Sequence, residues 1–375
     1  MTTLHNQSEL RWLALGGYKT ASELSRQPAI WRRLADQLRR LSPELRAFVA
    51  SSADDPCCEI LLVGPGSSAH GCGLAAEVLG PACRAKVRAV PAADLRSHPA
   101  QHLHPGRVRL VLMCDSDSSG EIAGLLQARV PAALVLNIVG MRSNERGGVL
   151  TLNLPSAAAS FSLLLLAALG LLNRDAEVDA ADRIEALAAL GSHWMARCAA
   201  EWQAMGQCDA GRVVFVAGGE LQFLAYEAAR NMMDMSEGQI AGVASNPFGL
   251  RHELGCLPTR ATQLVVFRSQ DAGVRRDEDA LIADLNDSGC STDGLLVLDG
   301  RAFGAPCSMP DAWLAAAYAL PAQVLALHHA VRLGVEPDRF TNRQQWHPIS
   351  EPEPFRDGGG FYGLDRGRLN VLAAA

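Results

Sequence analysis

The pattern that most constrains this chain is an apolar run, a glycine-bearing turn and a helical stretch that come in one order and then come again. Glu59-Ile-Leu-Leu-Val-Gly64 leads into Pro-Gly-Ser-Ser, and Arg212-Val-Val-Phe-Val-Ala217 leads into Gly-Gly-Glu. The next runs, Leu110-Val-Leu-Met113 and Leu264-Val-Val-Phe267, each enter a polar turn with serine and aspartate; Leu134-Val-Leu136 and Leu296-Val-Leu298 form a third pair. Val63 and Val216 lie 153 residues apart, Leu110 and Leu264 154, and Leu134 and Leu296 162, an offset steady enough to indicate duplication. Short apolar runs alternating with helical stretches such as Leu74–Leu79, Ser119–Arg129 and Phe223–Met235 predict buried parallel strands with crossover helices. The expected architecture is α/β, with two doubly wound, flavodoxin-like parallel sheets in tandem. Such sheets bind ligands where strand ends feed helix N-termini, so the chemistry is expected in those turns.

A chain of 375 residues, 49% of them hydrophobic, is long and apolar enough for two cores. The expected organisation is an N-terminal helical arm (1–50), a first domain (51–190), a second domain (191–345) and an irregular Pro/Gly-containing tail (346–375). Within the arm, residues 18–50 read as helix, with Thr20 or Ser22 as cap candidates, Pro28 as punctuation, and Trp31, Leu34, Leu38 and Leu41 on one face. Residues 176–207 suit a helix bridging the two units. The run Leu163–Leu172 reads as a buried helix, because it is about half the ~20 residues a membrane span requires.

Composition narrows the function classes. A formal charge of −6 gives no broad attraction for a phosphate backbone or an anionic membrane, so neither nucleic acid nor membrane is expected as a partner. Lys19 and Lys86 are the only lysines, which nearly excludes a lysine Schiff base by supply. The ten cysteines are scattered and include no CxxC zinc pattern, so they read as small core residues. The histidines complete no HExxH pattern, and no metal or other cofactor is expected. The first residues, with His5, Glu9 and Arg11 among the apolar positions, lack a signal-peptide core, so a cytoplasmic location is expected.

Four segments carry candidate chemistry. Val63-Gly-Pro-Gly-Ser-Ser-Ala-His70 leaves a strand and enters a helix, so Gly66, Ser67 and Ser68 can face one anion; an ordinary serine-capped turn is the competing reading. Cys114-Asp-Ser-Asp-Ser-Ser-Gly-Glu121 offers the hydroxyls of Ser116, Ser118 and Ser119, while Asp115 and Asp117 repel a dianion unless they point away or are neutralised. Gly218, in the equivalent turn of the second unit, joins the candidate binding residues. Glu227, Asn231 and Asp234 stand at i, i+4 and i+7 and share a helix face, either as a solvated stripe or as two carboxylates for proton transfer. Ala244-Ser-Asn-Pro-Phe-Gly-Leu-Arg-His-Glu253 reads as a loop presenting Arg251 and His252, either functionally or as incidental surface charge.

These residues resemble the tandem sugar isomerase (SIS) domain family, most closely its tagatose-6-phosphate ketose/aldose isomerase or galactosamine-6-phosphate deaminase branch. Thr20-Ala-Ser-Glu-Leu-Ser-Arg-Gln-Pro-Ala-Ile-Trp31 is similar to the branch's TAxEIxQQPxxW, and Gly64-Pro-Gly-Ser-Ser-Ala69 is similar to its first-domain turn. Glu227-Ala-Ala-Arg-Asn-Met-Met-Asp-Met-Ser236 is similar to EAALKVLELT, and Ser245-Asn-Pro-Phe-Gly-Leu-Arg-His252 to SPLGFRHGP. The resemblance implies two SIS domains, a homodimer with active sites near the subunit interface, and a hexose or hexosamine 6-phosphate bound without metal or nucleotide. It also implies aldose/ketose isomerisation or deamination through an enediol or enolamine. Ser67, Ser68, Ser116 and Ser119 then match the sugar- and phosphate-binding turns, Glu227 and Asp234 the helix carboxylates, and His252 the ring-opening histidine, often supplied by the partner subunit.

The chain departs from that pattern at several places. Asp115 and Asp117 stand where arginine and glycine are usual, Asn231 where the helix carries lysine, Asp234 where it carries glutamate, and His252-Glu-Leu254 replaces HGP. A carboxylate one methylene shorter matters to a reaction sensitive to ~1 Å misplacement. A phosphosugar-binding or regulatory protein without turnover is therefore the alternative expectation.

Overall fold

The computed structural model describes residues 3–113, 119–138, 149–151, 160–173, 178–253, 261–287, 294–302, 304–306 and 309–339. A short hairpin (β1, Thr3–Leu4; β2, Gln7–Ser8) precedes α1 (Glu9–Ala14), α2 (Tyr18–Arg39) and α3 (Pro43–Asp54). The first sheet region runs β3 (Glu59–Gly64), α4 (Ser67–Ala82), β4 (Lys86–Pro91), α5 (Ala92–Ser97), α6 (Pro99–His102), β5 (Val108–Met113), α7 (Ser119–Arg129), β6 (Leu134–Asn137), β7 (Val149–Thr151) and α8 (Ser160–Leu172). Helices α9 (Ala180–Arg197) and α10 (Ala199–Met205) follow. The second region runs β8 (Arg212–Val216), α11 (Gln222–Met235), β9 (Ala241–Ser245), α12 (Pro247–Glu253), β10 (Thr262–Arg268), α13 (Ala272–Asp287), β11 (Leu295–Asp299) and α14 (Asp311–Arg332).

All pairings within both sheets are parallel. The strand orders are β4-β3-β5-β6-β7 and β11-β10-β8-β9, so in each the chain moves outward one way from its first strand and then back past it. The duplication read from the sequence is thus a duplication of topology. Each sheet has its switch point where the first and third strands of the unit lie side by side, β3 with β5 and β8 with β10. Strand side chains alternate between two burials, which explains the continuous apolar runs. Ile60 and Leu62 face one extensive core while Leu61 and Val63 face a smaller one under α5 and α7; Val213 and Phe215 face the same extensive core while Val214 and Val216 pack against α13.

That extensive core is filled by α2, α8, α9 and α14. Trp31 of α2 is fully buried and its indole N–H donates to Ser162 Oγ of α8 at 3.0 Å, while Gln27 Nε2 donates to Gln323 Oε1 of α14 at 2.7 Å. Leu163–Leu172 lies within α8 and is buried, as its length predicts. Of the described helices, α14 alone is long and apolar enough to cross a membrane, and it lies in the protein interior.

Four local expectations need correction. Residues 18–50 form two helices, because Ser42 caps a new start by accepting from Leu45 N, with Pro43 in the first turn. Pro28 sits inside α2 and is buried, so packing outweighs its lost N–H. The N-terminus of α2 is capped by neither Thr20 nor Ser22 but by Asp338, whose carboxylate accepts from Lys19 N and Thr20 N at 2.8 Å each. The bridge over 176–207 is likewise two helices, α9 and α10. Of the cysteines described, Cys58, Cys72 and Cys198 are buried and Cys57 is exposed. The tail 346–375 lies outside the described residues.

The second switch point is closed by its own acids. Asp311 accepts from Gln270 N, Glu278 from Ser269 N, Asp271 from Gly273 N and Val274 N, and Glu220 from Ala312 N. A cavity of about 410 Å³ lined by Glu220, Gln270, Asp271 and Asp311 remains there, but the backbone donors an anion would need are already used. Burial pushes the Glu278 carboxyl up to about 7, against the hydrogen bond from Ser269 N.

Two stability predictions follow from this packing. Trp31→Ala is expected to lower unfolding free energy by about 3–5 kcal/mol in urea denaturation, through the cavity it opens beneath both sheets. Because the folded-state pKa of Glu278 is raised from 4.5 to about 7, the folded chain keeps a proton that the unfolded chain releases. Wild-type stability relative to Glu278→Gln is therefore expected to fall by roughly 2–3 kcal/mol as pH rises through that interval and to level off above it.

Candidate functional site

The first switch point is built differently. β3 ends at Gly64, the chain turns through Pro65 and Gly66, and α4 begins at Ser67. Gly66 has φ +52°, a conformation that favours glycine, and a side chain there would start 3.1 Å from Arg230 Nη2. The neighbour is α11, the helix after the first strand of the other sheet. A Cβ on Gly73 would stand 2.3 Å from the Phe223 ring, so α4 and α11 approach closely because that position is bare.

Across this seam the polar groups meet in pairs. Arg230 Nη1 donates to Ser67 Oγ at 2.9 Å, and Arg230 Nη2 lies 2.8 Å from Asp234 Oδ2. His70 Nδ1 lies 2.9 Å from Glu227 Oε2. The side chain of Glu227 is 3% exposed and that of His70 27%. The second oxygen of Glu227, Oε1, is buried with no hydrogen-bond partner, as is Asn231 Oδ1 one turn further on. A buried acceptor left unsatisfied costs about 1–3 kcal/mol, so both oxygens favour a donor arriving with a ligand. Ser67 and His70 are one turn apart on α4; Glu227, Arg230 and Asp234 lie at i, i+3 and i+7 on α11.

The structure therefore brings together Gly66, Ser67, Glu227 and Asp234. Ser68 stands beside them, but its hydroxyl turns back to Pro65 O at 2.7 Å, closing the turn as a capping serine would. Ser116 and Ser118 lie outside the described residues, as do Asp115 and Asp117; Ser119 begins α7. Gly218 is elsewhere: it is buried after β8, where a Cβ would meet Val274 and Pro247. Arg251 and His252 lie on α12, which corrects the expectation of a loop. Asn246 caps that helix by accepting from Gly249 N at 2.8 Å, and Pro247 follows as its first residue. Both side chains are exposed; Arg251 Nε donates to Asp284 Oδ2 at 2.6 Å and His252 packs edge-on against Phe248.

Sequence reasoning missed Arg230 and His70. Spacing on α11 contained the signal for Arg230, three residues after Glu227 and four before Asp234. His70 shares the α4 face of Ser67, but only the packing of α4 on α11 connects it to Glu227.

No model of a protein family matches the chain. Over 346 residues it is 26% identical to the D-galactosamine-6-phosphate deaminase AgaS of Shewanella sp. (strain ANA-3), covering 86% of this chain and 88% of that protein. A Streptomyces coelicolor protein provisionally given the same name is 29% identical over 365 residues, covering 85% and 90%. Among solved structures, one from Clostridium novyi NT, provisionally assigned as a tagatose-6-phosphate ketose/aldose isomerase, superposes with a TM-score of 0.78 at 23% identity, covering 90% of this chain and 95% of that one. Over most of its length the chain is thus similar to proteins named D-galactosamine-6-phosphate deaminase, and its repeated parallel sheets share the fold of the Clostridium novyi structure.

Proposed function

We propose that the protein is a sugar-phosphate ketose/aldose isomerase or an amino-sugar-6-phosphate deaminase. The observation that carries the reading is the seam itself, where a glycine–serine turn at a helix N-terminus in one sheet region lies against two carboxylates of a helix from the other. Hydroxyls and a positive helix end suit the phosphorylated sugar. Asp234, exposed and held by Arg230, then moves the proton between C1 and C2 through an enediol or enolamine. Buried Glu227 offers Oε1 to a sugar hydroxyl or ammonium. With a 2-amino sugar, the product carbon is at the imine level and its hydrolysis releases ammonia. No cofactor enters this chemistry.

The phosphate is read as lying between the Ser67 turn and the segment with Ser116, Ser118 and Ser119. The assembly is read as a cytoplasmic homodimer with shared sites, supported by the exposed rings of Phe248 (65%) and Tyr226 (42%), the former next to the exposed His252. A second reading, phosphosugar binding without turnover, is favoured by one contact: Arg230 Nη2 already engages the Asp234 carboxylate at 2.8 Å.

Ammonia and ketose formation from galactosamine 6-phosphate and a panel of hexose and hexosamine 6-phosphates tests the enzyme reading. Product from at least one is expected; a folded protein that binds by calorimetry yet makes neither product would establish the second reading. For the active substrate, Asp234→Asn is expected to lower kcat and kcat/KM together by about a hundredfold or more. Ser67→Ala is expected to raise KM by about tenfold with much less change in kcat.

A further inference from the structure

We propose that His70, oriented by Glu227, is the imidazole that carries protons in this site. The inference rests on the functional reading above and adds a residue and a step to it. In the proposed arrangement the 2.9 Å contact is an Nδ1–H donating to Glu227 Oε2. That leaves the lone pair on Nε2, the nitrogen free to act as a base. Glu227 is buried and His70 partly exposed, so the carboxylate anchors the ring from within while the ring reaches toward the open side of the seam. The groups around the ring are Glu227 and Tyr226, whose ring centroid is 6.4 Å away, with the neutralised Arg230–Asp234 pair on the same helix face. Ser67 stands one turn before His70, so a sugar held by the Ser67 hydroxyl has its ring within reach of the imidazole.

The step is ring opening. His70 Nε2 takes the proton of the anomeric hydroxyl, and C1–O1 becomes a carbonyl. The C1–O5 bond breaks, its electron pair goes to O5, and O5 takes the proton back from the imidazolium. Atoms and electrons balance without any oxidant or metal. Glu227 is a positioning residue in this step, since it acts through the ring.

The test uses the full-length chain with galactosamine 6-phosphate and the same panel of sugar phosphates. His70→Ala is expected to lower kcat by about a hundredfold with KM within about threefold, and added imidazole is expected to recover at least tenfold of the lost rate. His70→Gln keeps a hydrogen bond to Glu227 but transfers no proton, and it is expected to be as slow as His70→Ala without rescue. Circular dichroism of both variants checks folding. Should wild type turn over a substrate while His70→Gln keeps more than a third of its kcat, the proposal is overturned and the functional reading stands. The same holds if imidazole restores nothing to folded His70→Ala. A wild-type chain inactive on the whole panel overturns both.

Discussion

The two parallel sheets are held by one shared apolar layer, and every polar contact described above depends on it. Trp31, Phe161, Trp194, Leu187 and Tyr318 are buried within a few per cent of completely, on helices that touch the inner faces of both sheets. Each such side chain contributes about 1.5–3 kcal/mol by leaving water, whereas a typical internal hydrogen bond contributes about 1 kcal/mol net. The seam contacts therefore do not pull α4 and α11 together. The core places the two helices, and the polar pairs then select what can happen between them.

The same topology yields opposite chemistry at the two switch points. In the first, a glycine–serine turn closes on its own carbonyls beside an arginine and two carboxylates. In the second, four acidic side chains from the surrounding turns and helices occupy the backbone donors themselves. Duplication supplied two equivalent positions, and side-chain substitution gave one a mixed-charge seam with a neighbouring helix and the other a ring of acids on backbone donors.

Much of the fold was legible because it follows from local periodicity. Runs such as Ile60 to Val63 and Val213 to Val216 are apolar at every position since both strand faces are buried, and they identify parallel strands. Where expectation failed, a long-range partner or a short cap decided the outcome. Pro28 stays helical because α2 is packed on all sides, and Asp338 caps α2 from more than 300 residues away. The Asn246-Pro247 start of α12 was present in the sequence but was outweighed by its look of a Pro/Gly loop. Within the candidate site, helix spacing put Glu227 and Asp234 on one face, and the resemblance gave them a role. The His70–Glu227 pair spans 157 residues and two sheets, so no local pattern carried it.

The site draws its turn from one copy of the repeat and its acids from the other, which ties the histories of the copies together. A lone ancestral unit would have held a turn or an acidic helix without the opposite wall. The paired arrangement thus belongs to the joined chain, and a change on either face alters what the other meets.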